Sequence, residues 1–264
     1  MVDKQELFLN SPFLNAAGCL GFAPDLRSSR EDTGGWNRMG AFITNPISLA
    51  ARQPAESRVY LPFSGGFLLH TGLANPGLRA VVKRCAAQWA AAPMPIVPHL
   101  IASSPDELGR MVQQLEGLEN VVGVEIGFAP GIEPGLAAAL VARAAGELSI
   151  IACLPFESAR ELADALKQSP ASMLCLAAPR GLLPAEGSLA PDGSLAAGRL
   201  YGPALLPAAL KLVHDLAGCG LPVIGAGGVY TAQAAHAMLA AGAAAVQLDA
   251  VLWNVEGVNI LTRW

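Results

Sequence analysis

The chain has 264 residues, 53% of them hydrophobic and only 14% charged, which fits one large or two small folded domains and excludes a disordered chain. Its 17 basic and 21 acidic residues leave a net charge of −4, without the basic excess a nucleic-acid-binding surface needs. No run of 18 or more apolar residues is free of polar interruption: the most apolar stretch, near 232–255, contains His236, Gln247 and Asp249. The start, MVDKQELF, is charged at once and lacks an apolar signal core, so the expectation is a cytoplasmic protein with no membrane contact. The five cysteines (Cys19, Cys85, Cys153, Cys175 and Cys219) are scattered and never spaced as CxxC. They suggest neither a disulfide framework nor a zinc site, but small buried hydrophobes.

In chain order, short apolar runs mark strands at Phe13–Gly18, Ala41–Thr44, Ile96–Ile101, Val121–Ile126, Leu148–Leu154, Met173–Ala177, Pro222–Gly225 and Ala244–Leu248. They are apolar throughout, as parallel strands covered on both faces are. Helical periodicity marks Gly77–Ala91, Pro105–Leu118, Glu133–Glu147, Ser158–Gln168, Gly202–Ala217 and Thr231–Ala241. Ser104-Pro105-Asp106-Glu107 supplies an N-cap, an N1 proline and two first-turn acids, and Ser158 with Glu161 has capping-box spacing. Gly146, Gly218 and Gly242 are expected to end helices. Eight strands in βα alternation predict an α/β chain folded as a single-domain (β/α)8 TIM barrel over residues 1–264. Two long segments, Cys19–Gly40 and Ala178–Arg199, are expected as loops at the catalytic face, and a second copy of the chain is expected to share some of the apolar outer surface.

Gly225, Gly227 and Gly228 end one strand and lead into the helix near Thr231, so their backbone can approach an anion at a helix N-terminus. The same turn could serve as a tight connection without a ligand. With Gly202-Pro203-Ala204-Leu205 before it and Ala240 to Gln247 after it, this block resembles the last third of the dihydroorotate dehydrogenase family. Asn15-Ala16-Ala17-Gly18 resembles that family's first-strand segment at the flavin ring, and Thr71 to Gly77, with Asn75 as a substrate-binding candidate, resembles a second family loop. The resemblance implies an FMN-dependent oxidoreductase barrel of pyrimidine metabolism. Its ligand would be a small molecule at the C-terminal face, with Ala16, Ala17, Gly18, Gly202, Gly225, Gly227 and Gly228 around the cofactor.

Departures from the family pattern are equally specific. Asn45 and Ala152 stand where the family has lysines, and Ala129 stands where it has a Cys or Ser base. The sixth strand lacks its terminal asparagine, and Asp249 replaces a residue that helps to hold the phosphate. A methyl group cannot accept a proton, so activity on dihydroorotate is expected to be altered or lost. Asp249 is expected to oppose an anion and to accept the turn amides itself, which sets FMN binding in question.

The replacement polar groups at strand ends or in the loops after them are Asn45, His70, Asn75, Glu125 and Asp249. Glu125 interrupts an apolar run, and a buried carboxylate there would have a raised pKa suited to acid–base work, unless neighbours satisfy it. His99 reads as an interior histidine with one ring partner, and His214 and His236 as packing or surface residues. Cys153 is expected to face the helices, which leaves Cys19 as the better thiol candidate. Two other functions remain open: an FMN-free barrel acting as a binding or scaffolding protein, and a flavin-independent lyase or isomerase.

Overall fold

A computed structural model describes residues 6–25, 38–56, 59–185 and 195–262. The strands are β1 Phe13–Asn15, β2 Phe42–Ile43, β3 Val59–Phe63, β4 Gly66–His70, β5 Ile96–Val97, β6 His99–Leu100, β7 Gly123–Gly127, β8 Ser149–Leu154, β9 Met173–Leu176, β10 Arg180–Pro184, β11 Leu195–Tyr201, β12 Val223–Ala226 and β13 Ala245–Leu248. The helices are α1 Leu78–Ala90, α2 Pro105–Gln113, α3 Pro134–Arg143, α4 Ala159–Leu166, α5 Leu206–Leu216, α6 Ala232–Ala240 and α7 Val255–Thr262.

A curled parallel sheet carries the fold, in the order β1-β13-β12-β9-β8-β7-β6, with β2 and β5 as a separate parallel pair. The expected barrel is therefore present as an α/β fold whose continuous ladder stops short of a closed ring. Two local features interrupt the ladder. Between β1 and β2 the Asn15 side chain takes the place of backbone, accepting from the Ile43 amide at 2.8 Å and donating to its carbonyl at 2.6 Å. Between β5 and β6 stands Pro98, which has no N–H to give to a neighbour. Isolated parallel bridges span both seams: Leu14 to Ala41, Ile96 to Val121 and Ile47 to Leu100.

Alternation along the strands sorts the core into two layers. Leu14, Ile43, Val97, Ile151, Cys153, Met173, Cys175, Ile224 and Ala245 form one cluster on the concave side of the sheet. Val124, Ile126, Ile150, Ala152, Leu154, Leu174, Leu176 and Val246 pack outward with the helices, among them Trp89 of α1 and Leu162 of α4. Such two-sided burial is what uniformly apolar strand sequences provide.

The expected α2 cap is present: Ser104 Oγ accepts from the Glu107 amide at 3.3 Å. Ser104→Ala is expected to lower stability by about 1 kcal/mol in urea denaturation. At α4 the expected capping box is absent, since Ser158 Oγ is buried without a partner. Of the glycines expected at helix ends, Gly242 is left-handed (φ +107°), whereas after α5 that conformation falls to Gly220 (φ +95°) and not Gly218.

The segment expected as a long second loop is built differently. β10 and β11 form an antiparallel hairpin that continues through β4 to β3, making a four-stranded sheet absent from the sequence reading. Residues 186–194 of that segment, and 26–37 of the first long segment, lie outside the described residues. Helix α7 was also not foreseen. Among the described residues no helix is long and apolar enough to cross a membrane.

Candidate functional site

Glu125 is the hub of a polar layer inside the curl of the sheet. Gly123, Glu125 and Gly127 alternate along β7 with the outward Val124 and Ile126, so the carboxylate is turned inward and fully buried. Parallel register places His99 of β6 directly beside it, with Nδ1 2.6 Å from Glu125 Oε1. Gln247 Nε2 of β13 donates to Oε2 at 2.5 Å, and Cys175 Sγ of β9 donates to the same oxygen at 3.2 Å.

Of the two readings the sequence leaves open, a raised carboxyl or one satisfied by its neighbours, the second holds. Burial does push it up, but the hydrogen bond and charge of His99, then Cys175 and Gln247, hold it below its ordinary value. An ionised carboxylate only accepts, so the proton between the pair sits on Nδ1 of His99. Saturated by three donors, Glu125 is a structural anion and not a free base.

That leaves Nε2 of His99 as a buried ring nitrogen with no hydrogen-bond partner. It lies over Gly127, where an added Cβ would come within 2.2 Å of it. A glycine is needed at this position to seat the imidazole. Cys153, level with Gly127 across the β7–β8 ladder, lies in the inner cluster with Cys175, contrary to the expectation that it faces the helices. Ala152, the expected lysine position, takes the helix side instead.

Above this layer is a small cavity of about 30 Å3, bounded by Ala16, Ala17, His99, Glu125, Cys153, Tyr201, Gly227 and Asp249, among others. Asp249 is buried with Oδ1 unpartnered. Burial raises its carboxyl to about 6, against the pull of the Val251 amide, the Tyr230 hydroxyl and the Ala250 amide. The Tyr230 hydroxyl is close enough to bear on the carboxyl, although it makes no well-formed hydrogen bond to it. The amides that reach Asp249 thus belong to the turn that follows it, where the sequence reading expected those of Gly225–Gly228.

A second cavity, of about 560 Å3, opens beside the first and shares Ala17, Arg199 and Tyr201 with it. Arg52, Arg180 and Arg199 line it, with His70, Glu107, Gly18 and Ala129. The hairpin strands missing from the sequence reading supply Arg180 and Arg199, and β4 supplies His70.

The other expected positions separate. Asn45 Oδ1 accepts from the Gly21 amide at 3.1 Å. Asn75 accepts from the amides of Ser48 and Gly77 and donates to the Leu73 carbonyl, which pins its own loop. Gly202 packs against the β3–β4 turn, Gly225 against Met238, and Gly228 against the start of α5, so of the four glycines around the expected phosphate site only Gly227 lines the small cavity. Cys175 and Gln247 were missed, although Gln247 interrupts its apolar strand as Glu125 does.

A family model described as Dihydroorotate dehydrogenase matches residues 186–263, which includes the block from Tyr201 to Gln247 that carries the sequence resemblance. The catalytic subunit of dihydroorotate dehydrogenase B (NAD(+)) from Trichlorobacter lovleyi is 28% identical over 263 residues, covering 94% of this chain and 85% of that protein. The same subunit from Bacillus pumilus is 27% identical, with 93% and 83% covered. A putative dihydroorotate dehydrogenase A (fumarate) from Pediococcus pentosaceus is 27% identical, with 91% and 84% covered. Matches of this length run through both the sheet and the site, and they support membership of the dihydroorotate dehydrogenase family at low identity.

Proposed function

We propose that the chain is a dihydroorotate dehydrogenase-like oxidoreductase barrel whose reactive centre has been rebuilt, with activity on dihydroorotate altered or lost. The frame reads as one domain of eight parallel strands closed into a ring, with β5 and β6 counted as a single strand across Pro98 and the bridges completing the seams. The observation that carries the reading is Ala129. It lines the larger cavity next to Phe128 and Pro130, in the family's base position, and offers only a methyl group.

FMN is the cofactor that family membership implies. At the phosphate end the cavity between Ala17, Tyr201, Gly227 and Asp249 is only about 30 Å3, so the ring would have to occupy the adjoining space that shares Ala17 and Tyr201. Cofactor sites run to about 300–1,000 Å3. A buried carboxyl with a free oxygen also faces the place where a phosphate would enter.

What the chain does offer is the adjoining cavity of about 560 Å3 with three arginines on its wall, a lining suited to a small anionic molecule such as a carboxylate or phosphate ester. A dye-reduction assay with dihydroorotate, run with added FMN, tests the reading. Removal of the general base alone is expected to cost about 10²–10⁴ in rate. Turnover matching that of ordinary family members would refute the assignment of Ala129.

A further inference from the structure

Arg180 of β10 and Arg199 of β11 stand directly opposite each other in the hairpin register, so both side chains leave the same face of the ladder. The Leu200 amide donates to the Pro179 carbonyl at 2.8 Å, which makes 179–200 a hydrogen-bonded pair. By alternation 180–199 is a non-hydrogen-bonded pair, the closer kind, with Cα atoms about 4.5 Å apart. Like charges set opposite each other in this way are unfavourable unless an opposite charge joins them. Among the described residues no carboxylate pairs with either guanidinium. Glu157 accepts from the Arg180 backbone amide at 2.8 Å and not from its side chain. Glu107, which lines the same cavity, is taken by the amide and hydroxyl of Ser103. The Tyr201 hydroxyl beside Arg199 stays neutral, its pKa pushed up to about 12 chiefly by burial. Both arginines line the cavity of about 560 Å3, together with Arg52, whose Nε donates to the Gly72 carbonyl at 2.8 Å.

We propose that Arg180 and Arg199 form a two-pronged clamp for the phosphate group of a small phosphate monoester, with Arg52 adding a third positive charge to the same cavity. The clamp rests on the reading above of this cavity as the seat of a small anionic molecule, and commits it to one class. A phosphate monoester gathers nearly two negative charges and three acceptor oxygens on one group. Two guanidinium forks rising from one register position converge on such a group, each offering paired N–H donors. A dicarboxylate spreads the same charge over two groups held apart, and a monocarboxylate leaves one arginine uncompensated. The cavity is far larger than a phosphate, and Leu69, Leu73, Ile101 and Phe128 supply an apolar lining for the organic part of the ester. None of Gly225, Gly227 and Gly228 lines this cavity, so the clamp is separate from the glycine turn expected to hold a cofactor phosphate.

Calorimetric titration of the purified full chain with phenyl phosphate, in phosphate-free buffer, tests the proposal without recourse to flavin or dihydroorotate. One site is expected, displaced by inorganic phosphate and weakened as salt rises. Arg180→Ala and Arg199→Ala are each expected to weaken binding at least about tenfold. Arg160→Ala, which breaks only the pair with Asp215 on the helix side, is expected to leave it unchanged. Malonate, a dianion on two carboxylates, is expected to bind at least about tenfold more weakly than phenyl phosphate. Thermal unfolding gives a second readout: without ligand Arg180→Ala should be no less stable than wild type, and phenyl phosphate should raise the wild-type transition but not that of the variant. If Arg180→Ala does not fold, Arg180→Lys replaces it, with the fork lost and weakened binding expected. Malonate bound as tightly as phenyl phosphate would overturn the phosphate assignment alone. Equal binding by the folded arginine variants would overturn the clamp, and binding of neither anion would overturn the anionic reading of the cavity as well.

Discussion

Glu125→Ala is expected to destabilise the fold by about 3–5 kcal/mol, the range for breaking a buried charge pair by removing one partner. The loss follows from what stays behind. Nδ1 of His99, Nε2 of Gln247 and the Cys175 thiol all point at the carboxylate and would lose their acceptor. Glu125→Gln should cost less, because one oxygen still accepts while the new amide faces a donor. pH distinguishes charge from packing. The folded carboxyl titrates below its ordinary 4.5, so its contribution is fully present above that pH and is lost as pH falls through the lower folded value. The wild type should therefore lose stability more steeply below pH 4.5 than either variant in urea denaturation. Parallel acid limbs would mean that the carboxylate carries no net stabilising charge.

Asp249→Asn is expected to act in the opposite direction. Its folded carboxyl is raised to about 6 from an ordinary 3.8, chiefly by burial, so ionisation at neutral pH opposes folding. Here the folded state holds its proton more tightly than the unfolded chain. Stability is then greatest below the unfolded pKa and declines as pH rises through the interval between the two values. A shift of that size corresponds to about 3 kcal/mol at full effect, and relaxation around the site makes about 1–3 kcal/mol the expected gain. Asp249→Asn should therefore stabilise the protein at pH 8 and change little at pH 4, where the aspartate is already protonated. An equal effect at both pH values would show that the carboxyl is not ionised against its surroundings.

These two carboxylates also show what a sequence can and cannot reveal. Glu125 was visible as a polar interruption of an apolar strand and Asp249 as the acid that follows one, and both are buried. Their environments were not visible. Pairing with His99 depends on the β6–β7 register across 26 residues, and Pro98, which breaks the strand just before His99, gives no hint of it. Cys153 illustrates a second limit. In β8 every position is buried, so hydrophobicity cannot tell the inner face from the helix face, and the inward parity had been placed on Ala152. In β7 the glutamate itself marks the parity. The β3–β4 and β10–β11 hairpins escaped for the opposite reason. Their residues are mixed, half-exposed and interrupted by Pro62, Pro184 and Gly198, so neither alternation nor an unbroken apolar run announces a strand. The Ser64-Gly65 turn between aromatic-rich segments was the available signal, with Gly65 at φ +92°. Arg180 and Arg199 of the larger cavity were missed along with the β10–β11 hairpin.

A flavin titration bears most directly on the proposed function, because the family frame implies FMN while the small cavity and the Asp249 carboxyl speak against it. Wild-type protein should leave FMN fluorescence almost unchanged at low and moderate salt. Asp249→Gly, which removes the charge and opens the cavity, should bind it more tightly by roughly 1 kcal/mol or more. Wild-type protein that purifies yellow and binds one FMN tightly, with no change in the variant, would contradict a closed flavin seat and restore the ordinary chemistry of the family.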